Sequence, residues 1–221
     1  MIHLWSILLT QFESELSQLR ELLSADELNR LNRSTSEDVK RSFLFSRGCL
    51  RKILGQHLRL NPKELRFKYG PHEKPELEPL HDKVIPHFNL SHSRDLLVIA
   101  LSATQAVGID VEWVRPNQEL DAIARRYFSN DEIKTLSRLN ENEKNAQFFR
   151  YWTEKEAIVK AMGAGVSGLR KIHQGDWNVL SLKLPEGYVG SIATLMRNDE
   201  TMTLVYKERF LLTSVPVCDG L

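Results

Sequence analysis

Asp110 and Glu112 stand two apart in Gly108-Ile109-Asp110-Val111-Glu112-Trp113. Ile109, Val111 and Trp113 alternate with them, the two-residue period of a strand made of β-branched and aromatic side chains. Side chains two apart on a strand share a face, so the two carboxylates lie side by side. Neighbouring negative charges repel, and they stay together cheaply only around a cation or with one of them protonated. On that footing, removing one carboxylate from a shared metal site relieves repulsion in the metal-free protein. Taken alone the pair reads as a solvated strand face, because isolated short motifs often match by chance.

The second cluster lies further along, in Tyr151-Trp152-Thr153-Glu154-Lys155-Glu156-Ala157-Ile158-Val159-Lys160-Ala161-Met162-Gly163. Composition favours a helix, and Gly163 can close it. Residues three and four apart share a helix face, so Phe149, Trp152, Glu156 and Lys160 form one stripe. Glu154 and Lys155 point elsewhere and read as solvated. An isolated Glu156–Lys160 pair is a surface contact worth about 0.2–0.5 kcal/mol. Beside a paired-acid strand, a third acid and a lysine instead make a site for a metal ion and a phosphate.

The elements that must position these groups are legible in outline. Ile2 to Leu9 reads as a strand and Phe12 to Leu23 as a helix, with Leu16, Leu19 and Leu23 at helical spacing. Ser24…Glu27 and Ser129…Glu132 are capping boxes that open helices. A long helix from Asp38 to Leu58 carries Phe43, Leu50, Ile53, Leu54 and Leu58 on one face, and Asn61-Pro62 breaks it. Its Lys40, Arg41, Arg47, Arg51 and Lys52 are either a solvated face or a surface for phosphates and an acidic partner. Leu65 to Phe67 is a short strand, followed by a loop from Tyr69 to Pro86. Phe88-Asn89-Leu90-Ser91-His92-Ser93 precedes a buried apolar strand, Leu96 to Leu101. A strand end presenting Ser91, His92 and backbone N–H groups suits phosphate binding. Ala103 to Ala106 reads as a hairpin turn into the acid-pair strand. Leu120 to Tyr127 is helical, and Asn140 to Asn145 is a polar loop. Ser181 to Leu184, Gly190 to Leu195 and Thr201 to Lys207 read as strands of a second small sheet. No internal repeat is visible.

The chain has 221 residues, enough for one large domain or two small ones with a real core. A net charge of +1 argues against bulk nucleic-acid binding, which needs a basic excess. Cys49 and Cys218 are too few for a disulfide scaffold and read as reduced thiols of a cytosolic protein. No apolar run approaches the roughly twenty residues that span a bilayer.

Taken in order, these motifs resemble the 4′-phosphopantetheinyl transferases. Val107-Gly108-Ile109-Asp110-Val111-Glu112 fits the family's (I/V)-G-(I/V)-D-x-E, and Trp152 to Lys160 fits W-x-x-K-E-x-x-x-K. Phe88 to Ser93 reproduces F-N-(I/L)-S-H-S, and Phe128 to Glu132 fits F-S-x-x-E. Glu73-Lys74-Pro75 stands at the family's G-K-P, with Glu73 in place of Gly. Gly163-Ala164-Gly165 matches G-x-G, with Val166 where Leu is usual. Two departures stand out: Ser42, beside Arg41, occupies the place of an expected arginine, and Arg94 replaces the glycine that often follows S-H-S. The length resembles the Sfp-type branch, whose single chain holds two similar halves.

The resemblance implies an α+β fold in which two similar α/β subdomains form a pseudo-dimer with the active site at their interface. Residues 1–104 would bind the coenzyme A phosphates, and residues 105–221 would carry the metal site and catalytic helix. The implied reaction moves the phosphopantetheine arm of coenzyme A onto a serine of an apo acyl carrier protein or peptidyl carrier domain, releasing 3′,5′-ADP. Asp110, Glu112 and Glu156 would hold Mg²⁺, with Mn²⁺ as its substitute. Glu132 or Glu156 would take the serine proton, Glu132 having the helix cap as its competing role. Lys160 would balance charge on the diphosphate. Lys74, Ser91 and His92 would hold the nucleotide, with Arg41 or Arg47 reaching it from the basic helix. The expected protein is a cytoplasmic monomer that binds neither nucleic acid nor membrane. Two other readings stay open: a coenzyme A-binding module without catalysis, and another Mg²⁺-dependent nucleotide-phosphate enzyme.

Overall fold

The structure, a computed structural model, describes residues 1–70, 74–80, 83–165, 168–169, 172, 176–196 and 201–207. Glu73, Val166 and Cys218, singled out above, lie outside the described residues. In chain order the elements are β1 (Ile2–Leu8), α1 (Leu16–Glu21), α2 (Ala25–Arg33), α3 (Glu37–Leu58), β2 (Phe67–Tyr69), β3 (Pro75–Leu77), β4 (His87–Ser93), β5 (Leu96–Ser102) and β6 (Val107–Trp113). Then come α4 (Leu120–Tyr127), α5 (Asn130–Leu136), α6 (Glu141–Met162), β7 (Trp177–Ser181), β8 (Tyr188–Leu195) and β9 (Leu204–Tyr206). The fold is α+β with two subdomains, each built on a sheet and one 22-residue helix, α3 in the first and α6 in the second.

The first sheet has the strand order β4-β5-β1-β9 and the second β6-β8-β7. Every residue of β5 is buried, as its continuous apolar run requires. Leu97, Ile99 and Leu101 face Leu50, Ile53 and Leu54 of α3. Leu96, Val98 and Ala100 face Val107, Ile109 and Val111 of β6 and Ile192 of β8. The two sheets therefore share a core. The Ala103–Ala106 segment is a crossing between sheets rather than a hairpin, because β5 pairs with β1 and β4 while β6 pairs with β8. Likewise β9 joins the first sheet, parallel to β1, rather than the second.

As an edge strand, β6 needs partners for the backbone groups that face away from β8. The N–H groups of Ile109, Val111 and Trp113 donate to Asn89 Oδ1 at 2.9 Å, Ser91 Oγ at 3.3 Å and Ser93 Oγ at 3.0 Å. Alternate side chains of β4 thus close the edge of β6 without a backbone ladder. On its other side β6 carries α6 at the closest approach that two backbones allow. A Cβ placed on Gly108 would lie 2.0 Å from the Ala157 carbonyl oxygen and 2.3 Å from the Ala161 nitrogen.

Local departures from the sequence expectation have local causes. The segment before α1 forms two 3₁₀ turns, Leu9–Gln11 and Glu13–Glu15, and only then an α-helix. Asn140 and Glu143 form a capping box, so α6 begins at Glu141 and absorbs the expected polar loop. Ser24 and Glu27 do cap α2, and Glu27 also meets the buried Arg51 guanidinium at 2.5 Å. Arg51 Nη1 donates to the Pro62 and Leu65 carbonyls. One arginine of the basic helix is therefore a structural pin.

Candidate active site

Because α6 rests on Gly108, its Glu156–Lys160 stripe faces the acid strand. Lys160 Nζ lies 2.7 Å from Asp110 Oδ1 and donates at 3.0 Å to Ser91 Oγ, which itself donates to the same carboxylate oxygen at 2.9 Å. The other oxygen, Asp110 Oδ2, is buried without a hydrogen-bond partner among the described residues. Glu112 accepts from Ser93 Oγ at 3.0 Å and lies 3.4 Å from Arg115. Burial, then the charges of Asp110 and Glu112, raise the Glu156 pKa above the ordinary carboxylate value, against the pull of Lys160. The three acids named from sequence thus share one electrostatic site.

A spare buried carboxylate oxygen and a proton-hungry third acid fit a hard cation, which prefers oxygen donors. Asp110, Glu112 and Glu156 are the residues that could hold it. Among the described residues no group of three or more His, Cys, Asp or Glu side chains is placed closely enough to hold a metal ion. Asp110 is paired with the Lys160 ammonium.

A cavity of about 780 Å³ reaches the Glu156 and Lys160 end of this cluster, while Asp110, Glu112 and Ser91 stand behind its lining. Its lining includes Glu156, Lys160, Lys74, His92, Arg47 and Phe43. Lys74 donates to the Lys160 carbonyl at 2.7 Å, which ties the loop before β3 to the last turn of α6. Burial, then repulsion from Lys160, lowers the Lys74 pKa. The same two causes in the same order lower that of His92. Arg47 is buried, its Nη1 lacks a hydrogen-bond partner among the described residues, and its guanidinium stands 5.6 Å from the Phe43 ring and 5.2 Å from the Tyr69 ring. Arg41 instead pairs with Glu13 and does not line the cavity. Of the two arginines, Arg47 is the one positioned for a ligand.

Three sequence readings change. Ser91 was expected to hold a phosphate, yet a hydroxyl has one donor and two lone pairs. Its proton goes to Asp110 and its lone pairs to Lys160 and Val111, so nothing is left over. Lys155 is buried rather than solvated, with Nζ 3.0 Å from Glu132. Burial, with Glu132 nearby, also raises the Glu154 pKa. Arg94 does adopt the left-handed φ of 50° that favours glycine, and its guanidinium sits 4.4 Å over Trp113, a cation–π contact that helps hold it there. Ser93, Phe43 and Tyr69 were missed. The Asn89-x-Ser91-x-Ser93 alternation was the available signal for Ser93.

Glu132 takes the capping role. Its Oε2 accepts from the Ser129 N–H at 2.6 Å and bridges to Lys155, and its side chain does not line the cavity. Glu132→Gln is expected to lower stability by about 1–3 kcal/mol, the cost of weakening a charged hydrogen bond in a buried site. Turnover per folded molecule should change little, while removal of a catalytic base would cost about 10²–10⁴-fold. Denaturant melts and steady-state rates on one preparation separate these outcomes.

Comparison with known proteins agrees with this geometry. Residues 9–104 match the family described as 4′-phosphopantetheinyl transferase, N-terminal, and residues 106–203 match the 4′-phosphopantetheinyl transferase superfamily. The chain is 38% identical over 204 residues to the 4′-phosphopantetheinyl transferase HetI of Nostoc sp., covering 92% of this chain and 86% of the relative. A 4′-phosphopantetheinyl transferase of Bacillus subtilis is 28% identical, covering 90% of this chain and 91% of its own. Sfp of the same species is 28% identical over 72% of this chain and 67% of its own. With both halves matched and the long-range likeness to HetI, the chain belongs to the 4′-phosphopantetheinyl transferases of the Sfp type, and it is a transferase.

Proposed function

We propose that the chain moves the phosphopantetheine arm of coenzyme A onto a serine of an apo acyl carrier protein or peptidyl carrier domain. The supporting observation is that one cavity is lined by Glu156, Lys160, Lys74, His92 and Arg47 together. Its volume, about 780 Å³, suits a nucleotide-sized ligand. In this reading Asp110, Glu112 and Glu156 hold Mg²⁺, which when bound neutralises the diphosphate oxygens. Arg47 and His92 hold the nucleotide phosphates. Lys74 and Lys160 set ammonium charge where negative charge grows. The serine oxygen bonds to the β-phosphorus as the bond to the departing 3′,5′-ADP breaks. The electron pair leaves with the ADP oxygen, and Glu156, which lines the cavity, accepts the serine proton. The enzyme is proposed to work as a cytoplasmic monomer. Among the described residues no helix is long and apolar enough to cross a membrane.

His92→Ala tests the nucleotide end. Loss of a charge-assisted hydrogen bond should weaken coenzyme A binding by about 1.5–3 kcal/mol. The rate at saturating coenzyme A should stay close to wild type, because His92 is assigned to the nucleotide and not to the reacting phosphorus. Titration calorimetry with coenzyme A reads the affinity, and an unchanged value would remove His92 from the site.

A further inference from the structure

Ser93 has no part in the reaction just proposed, yet it is buried and touches one of the acids. Its Oγ accepts from the Trp113 N–H at 3.0 Å, which leaves its proton for Glu112 Oε2, also at 3.0 Å. Two residues earlier, Ser91 repeats the arrangement: it accepts from the Val111 N–H at 3.3 Å and donates to Asp110 Oδ1 at 2.9 Å. Each serine thus grips one β6 backbone N–H and the carboxylate of the residue before it. Asn89 occupies the same register against Ile109 at 2.9 Å, but the residue before Ile109 is Gly108, so that rung carries no acid. The alternation of β4 matches that of β6, side chain for side chain.

We infer that Ser91 and Ser93 are positioning residues for the Asp110–Glu112 pair, each fixing the rotamer of one carboxylate so that its other oxygen is aimed at a bound cation. Asp110 Oδ2 is that oxygen in the first rung, buried and unpartnered among the described residues. A hydroxyl donating to a carboxylate stabilises its ionised form and removes its freedom to turn. Groups that orient metal ligands in this way govern affinity as strongly as many ligands do. The inference rests on the proposal that these acids hold the metal.

Mn²⁺ serves as the probe, titrated by electron paramagnetic resonance with coenzyme A present and no carrier protein, so that no turnover occurs. Ser93→Ala is expected to weaken Mn²⁺ binding about 10–100-fold. Affinity for coenzyme A without metal should stay at the wild-type value. Ser93→Thr and Ser93→Val, nearly equal in shape, differ in the hydroxyl alone, and only the threonine should restore Mn²⁺ binding. Asn89→Ala cuts the acid-free rung of the same seam and should leave Mn²⁺ affinity within about threefold of wild type, far less than an orienting group costs. If Asp110→Ala abolishes Mn²⁺ binding while Ser93→Ala and Ser93→Val bind it normally, Ser93 only closes the strand edge and the inference is wrong. If Asp110→Ala itself binds Mn²⁺ normally, the carboxylate site is wrong and this inference falls with it.

Discussion

Asp110→Ala and Glu156→Gln should each lower transfer by about 10³-fold at saturating Mg²⁺, the several kcal/mol that a metal and its charge stabilisation supply. Their effects on the metal-free fold should differ, against the simple expectation that losing either acid relieves repulsion. Asp110 is held by Lys160 at 2.7 Å and by Ser91 at 2.9 Å, so its removal strands a half-buried ammonium and a buried hydroxyl. That variant should melt lower than wild type. Glu156 has a raised pKa, caused first by burial and then by Asp110. An acid whose pKa is higher folded than unfolded adds stability below the unfolded value and loses it as pH rises through the folded value. Above that window Glu156→Gln should therefore hold or gain stability in the absence of metal. Thermal melts across pH, with and without Mg²⁺, read both variants. Near-normal turnover in either one would remove it from the metal site.

Gly108→Ala carries the second large effect. The added Cβ would meet the Ala157 carbonyl oxygen at 2.0 Å and the Ala161 nitrogen at 2.3 Å. Both are backbone atoms of α6, so no side chain can swing away. Either α6 lifts from β6 or the strand bends, at a cost of about 3 kcal/mol or more, the upper end of overpacking. Either movement also separates Glu156 and Lys160 from Asp110. A displacement of about 1 Å can cost roughly 10²-fold in rate. The expected variant melts markedly lower and turns over poorly even when fully folded at low temperature. A variant with wild-type melting and rate would mean that the strand and helix are not in register as described.

Much of this site was written in short-range pattern. The acid pair reads from a two-residue period and the Glu156–Lys160 stripe from a helical one, because each depends only on neighbours within one element. What the pattern could not carry was pairing between elements. Lys155 and Glu132 look solvated or merely capping until α5 and α6 meet, and then they form a buried pair. Arg51 and Arg47 look alike on a basic helix, but Glu27 and two carbonyls claim the first while the cavity takes the second. The likeness of the two halves was invisible because a helix laid on a sheet asks for apolar periodicity, not for the same residues. The sheet-to-sheet crossing after β5 looked like a hairpin because both need a short polar turn. Gly108 could be noted as part of a motif, but the nearness of α6 that demands it appears only in three dimensions.

Transfer of the phosphopantetheine arm is read directly by intact mass spectrometry. Apo carrier proteins of fatty-acid, polyketide and peptide assembly are incubated with coenzyme A and this protein, with Mg²⁺ or with a chelator. At least one carrier should gain the mass of a single phosphopantetheine arm on its serine, with 3′,5′-ADP released in equal amount, and only when Mg²⁺ is present. Carriers that stay unmodified throughout, or that are modified equally well in chelator, would contradict the account.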